Sequence, residues 1–175
     1  MIQEAPSSEG NPDAHPRELE TTDISQMLSV ILLSYLSGKR LISTVRQIMD
    51  TMQAEGIPLE IIIIDDGSTD DSFEISRRLA RENECIRAYQ LSKNYTSPYA
   101  QFAGMTLVHG ACAVPVSDDL QEPLPAIVKM YRKWQEGHKI VIAHRASRND
   151  GWLSDLFSNL YYKIMNRFSL VDFPP

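Results

Sequence analysis

The feature that most constrains this chain is an alternation in which short aliphatic and β-branched runs are separated by segments whose apolar residues recur at helical spacing. The run MLSVILLSY, starting at Met27, suits a strand buried on both faces. After it, Leu41, Val45, Ile48 and Met52 repeat with a helical period, Ile42 and Met49 widen the stripe, and Gly56 stands where the helix should end. The pattern then repeats. Residues 59–64 form a second buried run, and the helix after it has Ser68 as its expected cap, with Asp71 three residues later. Residues 85–91 predict a third strand, followed by a helix opening at Ser97-Pro98 and closing near Gly110, with proline where its missing N–H does no harm. A strand over 111–116, a helix over 125–136 and a fifth strand over 139–143 complete the series. Strands alternating with helices of this length imply an α/β fold, a mostly parallel sheet covered by helices on both faces. Pro115 fits poorly, because a proline inside a central strand removes a ladder hydrogen bond.

Residues 1–26 lie outside this alternation. They are rich in Pro, Ser, Glu and Asp and carry almost no large apolar side chains, so they are expected to form a disordered leader before a domain spanning 27–175. The chain has 175 residues, enough to bury one ordinary core. Its net charge of −6 provides no electrostatic footprint for nucleic acid, so no nucleic-acid partner is expected. Cys85 and Cys112 lack the paired spacing of a zinc site and read as reduced cytoplasmic thiols. No apolar run approaches the roughly 20 residues that a membrane-spanning helix requires.

In an open parallel sheet, ligands sit at the carboxyl ends of the strands, so the residues directly after each apolar run are the informative ones. The second run ends in Asp65-Asp66-Gly67-Ser68-Thr69-Asp70-Asp71. Asp70 and Asp71 are explained as carboxylates complementing a helix macrodipole. Asp65 and Asp66 come before the helix, where a carboxylate can accept hydrogen bonds from a base N–H or from ribose hydroxyls. The fourth run ends in Ser117-Asp118-Asp119-Leu120-Gln121. Adjacent carboxylates and a hydroxyl are hard oxygen ligands suited to Mg²⁺ or Mn²⁺ bridging to a diphosphate, and from spacing alone a solvated helix entry explains them equally well.

The strings SVILLSY, IIIIDDGSTDDS, LSKNY, SDDLQEP and AHRASR resemble, in order and spacing, the family 2 glycosyltransferases, most closely the polyprenyl-phosphate sugar transferases and dolichol-phosphate mannose synthases. The resemblance implies a GT-A (Rossmann-like) fold that binds a UDP- or GDP-activated sugar with Mg²⁺ or Mn²⁺ and transfers the sugar to a polyprenyl phosphate in cell-envelope synthesis. It implies that Tyr35 lies near the nucleobase, that Asp65 and Asp66 are the paired aspartates of the donor site, one of which contacts base or ribose, and that Lys93, Asn94, Asp118 and Gln121 belong to the donor pocket. Asp119 takes the place of the last aspartate of the D-x-D metal motif, with Ser117 where the first is expected, and Arg145 and Arg148 would face phosphate charge. Leu33 and Leu36 replace the family's proline and asparagine after the first strand.

Leu156, Leu160, Ile164 and Phe168, with Phe157, Tyr161 and Met165, predict an amphipathic helix. The family pattern implies that the acceptor loop, the catalytic base and transmembrane helices lie beyond Pro175, which makes the fragment alone inactive. It also implies a membrane-anchored, homo-oligomeric full-length protein at the cytoplasmic face of the inner membrane. Two other readings use the same residues. A catalytically silent binding module accommodates Ser117 and Leu33. A receiver-like signalling domain would need a phospho-accepting aspartate and a lysine, which Leu91-Ser92 and His144-Arg145 do not provide.

Overall fold

The computed structural model describes residues 2–4, 24–121 and 123–143. Within Met1–Val141, one compact unit, the elements are β1 (Ile2–Glu4), a 3₁₀ turn (Ile24–Gln26), β2 (Leu28–Ser34), α1 (Arg40–Ala54), β3 (Leu59–Asp65), α2 (Ser72–Glu82), β4 (Ile86–Leu91), α3 (Ser97–Met105), β5 (Cys112–Ser117) and α4 (Leu124–Gln135). The strand order is β1-β4-β3-β2-β5. β2 pairs in parallel with both β3 and β5, and β3 pairs in parallel with β4. Among the described residues no helix is long and apolar enough to cross a membrane.

Both faces of the sheet are buried, which is why its central strands read as unbroken apolar runs. Val30, Leu32, Ile61 and Ile63 meet Leu41, Val45, Ile48 and Met52 of α1, Ile75 and Leu79 of α2, and Ile127, Val128 and Tyr131 of α4. Ile31, Ile62 and Ile64 point the other way and cluster with Tyr89 and Leu91 of β4 and with Ala100 of α3. α3 approaches closely because Gly104 has no side chain; a Cβ there would lie 2.3 Å from Cγ2 of Ile31.

The structure corrects several boundaries. Ile2–Glu4, within the expected leader, forms an antiparallel edge strand on β4; the rest of the leader before Ile24 lies outside the described residues. Ser68 does not cap α2. The helix starts at Ser72 after Asp71, and the Ser68 hydroxyl instead accepts a hydrogen bond from Leu36 N at 3.0 Å.

α3 stops at Met105, short of Gly110, because buried polar groups draw the following segment off the helical path. Glu60 Oε1 accepts hydrogen bonds from His109 N at 2.6 Å and Gly110 N at 2.9 Å, and Arg87 donates to Leu107 O at 2.6 Å. The expected fifth strand over 139–143 is absent. Ile140 and Ile142 are 82% and 72% exposed, so this run lacks both the burial and the ladder partner that would make it a strand. Pro115 is accommodated because β5 stands at the edge of the described sheet, where a missing N–H is tolerated.

Candidate functional site at the carboxyl edge of the sheet

From β2 the chain winds outward through β3 to β4, then returns to place β5 on the other side of β2. The winding therefore reverses between β2 and β5, and the carboxyl end of such a switch point is where open α/β sheets leave a crevice. A cavity of about 200 Å³ lies there. Leu33, Ser34 and Tyr35 at the end of β2 line it, as do Asp66 after β3, Ser97 and Ala100 of α3, and Ser117, Asp118, Asp119 and Gln121 after β5.

Each of the four parallel strands leaves this edge through a left-handed residue: Leu36 at φ 50°, Gly67 at φ 71°, Thr96 at φ 76° and Leu120 at φ 50°. Three of these are not glycine, and backbone strain of this kind gathers where a loop must present groups to a ligand. The strain at Leu36 can be removed. Its side chain is 47% exposed, so Leu36→Asn gives up little packing and relieves a left-handed cost of about 1 kcal/mol. The melting temperature of the variant is expected to rise by a few degrees. A fall would show that the leucine side chain contributes more than its conformation costs.

The paired aspartates after β3 have different roles. Asp66 is 5% exposed and lines the cavity, held by a hydrogen bond from Tyr95 N to Oδ1 at 2.8 Å. Asp65 is fully buried and does not line the cavity. Its Oδ1 accepts from Ser68 N at 2.9 Å and from Gln90 Nε2 at 3.0 Å, bracing the turn, while Oδ2 has no hydrogen-bond partner. Lys93 and Asn94 also stay out of the cavity. The Lys93 ammonium lies 5.0 Å from the centre of the Tyr95 ring, and Asn94 Oδ1 accepts from Thr96 N at 2.9 Å, folding both residues into the turn before α3. Tyr35 is 45% exposed at the cavity rim. Arg145, Arg148 and the amphipathic segment around Leu160 lie outside the described residues.

After β5 the carboxylates diverge. Asp118 turns toward α1 and pairs with Arg40, Nη2 to Oδ2 at 2.7 Å, and its backbone oxygen accepts from Thr44 Oγ1 at 2.6 Å. That hydrogen bond, together with the negative charge of Asp118, pushes the Arg40 guanidinium further above its ordinary value. Asp119 is exposed, with Gln121 Nε2 donating to its Oδ2 at 2.8 Å. No group of three His, Cys, Asp or Glu side chains able to hold a metal occurs among the described residues. The donor set nevertheless fits Mg²⁺ or Mn²⁺ in the way such ions commonly bind, through one or two carboxylates completed by substrate phosphates and water. Asp119, exposed and lining the cavity, is a carboxylate in a position to do this.

Arg40 and Thr44 escaped the sequence reading. One signal was present: Lys39 and Arg40 place two cations at the positive end of a helix, where the macrodipole disfavours them, so another duty is implied.

A family model described as glycosyl transferase family 2 matches residues 29–172. An SfII prophage-derived bactoprenol glucosyl transferase of Shigella flexneri is 32% identical over 127 residues, covering 72% of this chain and 40% of the relative. The putative glycosyltransferase CsbB of Bacillus subtilis is 29% identical over 150 residues, covering 83% and 44% respectively. The chain thus spans less than half the length of these relatives. Among solved structures, a Pyrobaculum calidifontis mannosyltransferase in complex with GDP-Man and Mn²⁺ is similar at a TM-score of 0.46 and 18% identity, over 58% of this chain and 30% of that one.

Proposed function

This chain belongs to glycosyl transferase family 2, and from that premise we propose that its cavity binds a UDP- or GDP-activated sugar for transfer to a polyprenyl phosphate. The observation that carries the proposal is the convergence of Asp66 and Asp119, distant in sequence, on one crevice at the switch point of the sheet. Asp66 is nearly buried and is fixed by Tyr95 N, so it can accept a hydrogen bond from a base N–H or a ribose hydroxyl without reorganising. Tyr35 offers an aromatic face at the rim for the base. Asp119, oriented by Gln121, would hold Mg²⁺ or Mn²⁺ against the diphosphate. Bound there, the ion would neutralise charge developing on the leaving diphosphate. Arg145 and Arg148 are suited to the same charge.

The anomeric carbon would be displaced by an acceptor oxygen. A phosphate acceptor is already anionic and needs little help from a base, and the Shigella flexneri relative named for bactoprenol supports an acceptor of that class. A membrane-anchored, oligomeric whole protein working at the cytoplasmic face of the inner membrane belongs to the same proposal.

Calorimetric titration with UDP, GDP and ADP, in Mn²⁺ or in chelator, tests the donor site. UDP or GDP is expected to bind about tenfold more tightly with Mn²⁺, and Asp119→Ala to erase that difference while leaving binding in chelator intact. Equal or absent binding of every nucleotide with and without metal would refute the metal-assisted donor site. Binding that ignores metal would favour the silent binding module, a reading supported by Ser117 standing in the first position of the metal string.

A further inference from the structure

We propose that Arg40 and Thr44 are positioning residues that hold Asp119 in place by gripping its neighbour Asp118. The inference rests on the nucleotide site proposed above. Asp118 is held at three points. Its N–H donates to Leu33 O of β2 at 3.2 Å, its carbonyl accepts from Thr44 Oγ1 at 2.6 Å, and its carboxylate meets Arg40 Nη2 at 2.7 Å. The Asp119 carboxylate accepts from the amide of Gln121, which sits on the same exposed turn. The direction in which the Asp119 carboxylate points is therefore set by the backbone at Asp118, and α1 sets that backbone.

The two gripping side chains sit one helical turn apart on α1, on the same face. Thr44 departs from its neighbours in a telling way. Ser43 and Thr51 on the same helix bond back to carbonyls of the preceding turn, Arg40 O at 2.8 Å and Gln47 O at 2.7 Å, as helix hydroxyls usually do. Thr44 is 2% exposed and reaches across to the loop after β5 instead. Arg40, at the dipole-disfavoured end of the helix, is offset by the carboxylate it holds. The grip also ties the Asp118 carboxylate, which lines the cavity with Asp119, to a cation.

The test compares wild type with Arg40→Gln, Thr44→Val, Asp118→Asn and the Arg40→Gln/Asp118→Asn double variant. The quantity read is the ratio of the UDP or GDP dissociation constant in chelator to that in Mn²⁺, with melting curves confirming the fold. Removing a partner that orients a metal ligand commonly lowers metal affinity about 10–100-fold. The ratio is expected to fall severalfold in Arg40→Gln and in Asp118→Asn, with no further loss in the double variant, while binding in chelator stays unchanged in Arg40→Gln and Thr44→Val. Mn²⁺ electron paramagnetic resonance in the ternary complex should broaden in the same variants. Thr44→Val keeps the shape of the buried side chain and removes only the second grip, so it carries the test if Arg40→Gln does not fold. An unchanged ratio in the single variants overturns the proposal. So do additive losses, or an equal loss with and without metal. If wild type binds no nucleotide under either condition, the donor site itself fails, a result distinct from wild type binding with metal and variants matching it.

Discussion

Glu60→Ala is expected to destabilise the domain by about 3–5 kcal/mol, the usual cost of stripping one partner from a buried charge pair. Glu60 is 6% exposed near the amino end of β3, opposite the cavity. Its Oε1 accepts from Ser29 Oγ at 2.5 Å, His109 N at 2.6 Å and Gly110 N at 2.9 Å, and its Oε2 meets Arg87 Nη2 at 2.7 Å. Alanine would leave two backbone N–H groups and a guanidinium without this acceptor. The segment joining α3 to β5 would lose the contacts that shape it. Chemical denaturation of wild type and variant measures the difference, and a loss below about 1 kcal/mol would show that water or rearrangement replaces the carboxylate.

The same site predicts a pH dependence. Burial alone would push the Glu60 carboxyl up, but the hydrogen bonds from Ser29, His109 N, Gly110 N and Arg87 together outweigh it and hold the group below its ordinary value. A carboxyl depressed on folding stabilises the native state above its unfolded pKa, near 4.3 for a glutamate, and that contribution is lost as pH falls through the lower folded value. Glu60→Gln keeps an acceptor oxygen but lacks the charge. It should lie between wild type and alanine at neutral pH and converge on wild type in acid. A gap that stays constant through acid would exclude the carboxylate charge as its cause.

Gly67→Ala is the second large effect, about 2–5 kcal/mol of stability together with at least a tenfold loss of nucleotide affinity, from a left-handed conformation and overpacking combined. Gly67 has φ 71°, and a Cβ there would lie 2.4 Å from the Lys93 carbonyl carbon and 2.7 Å from Asn94 N. Those are backbone atoms, so no side chain can swing aside to make room. The segment pushed away carries Tyr95 N, which fixes Asp66 at the cavity. Gly67→Asn separates the two causes, because asparagine tolerates a left-handed φ and still carries a Cβ. If asparagine restores stability and binding, the conformation alone demands glycine; if it behaves like alanine, the close approach of Lys93–Asn94 does.

What could be read in the sequence, and what could not, divides along a physical line. The runs that became β2 to β5 and the helical stripe of α1 were legible because burial on one or both faces imposes a period on the chain. The run over 139–143 had equally apolar residues and formed no strand, because a strand also needs a neighbour's backbone, which composition does not encode. Glu60 and Arg87 gave no warning that they would end α3 early. Their effect depends on carbonyl and amide groups brought to them from distant positions.

At the candidate site, sequence by itself determined which residue types reach the carboxyl edge. Local chain order ties Tyr35, Asp66 and Asp119 to the ends of apolar runs, and parallel pairing sends those ends to the same side. Tertiary structure alone decided what each carboxylate does. Asp65 and Asp66 are neighbours of one type, yet Gln90 and Ser68 N claim the first while the second faces the cavity. Asp118 and Asp119 both line the cavity, yet Arg40 and Thr44 of α1 take hold of Asp118. A carboxylate's role is set by the donors that reach it first, and those donors lie on other strands and helices, at distances that only the folded chain defines.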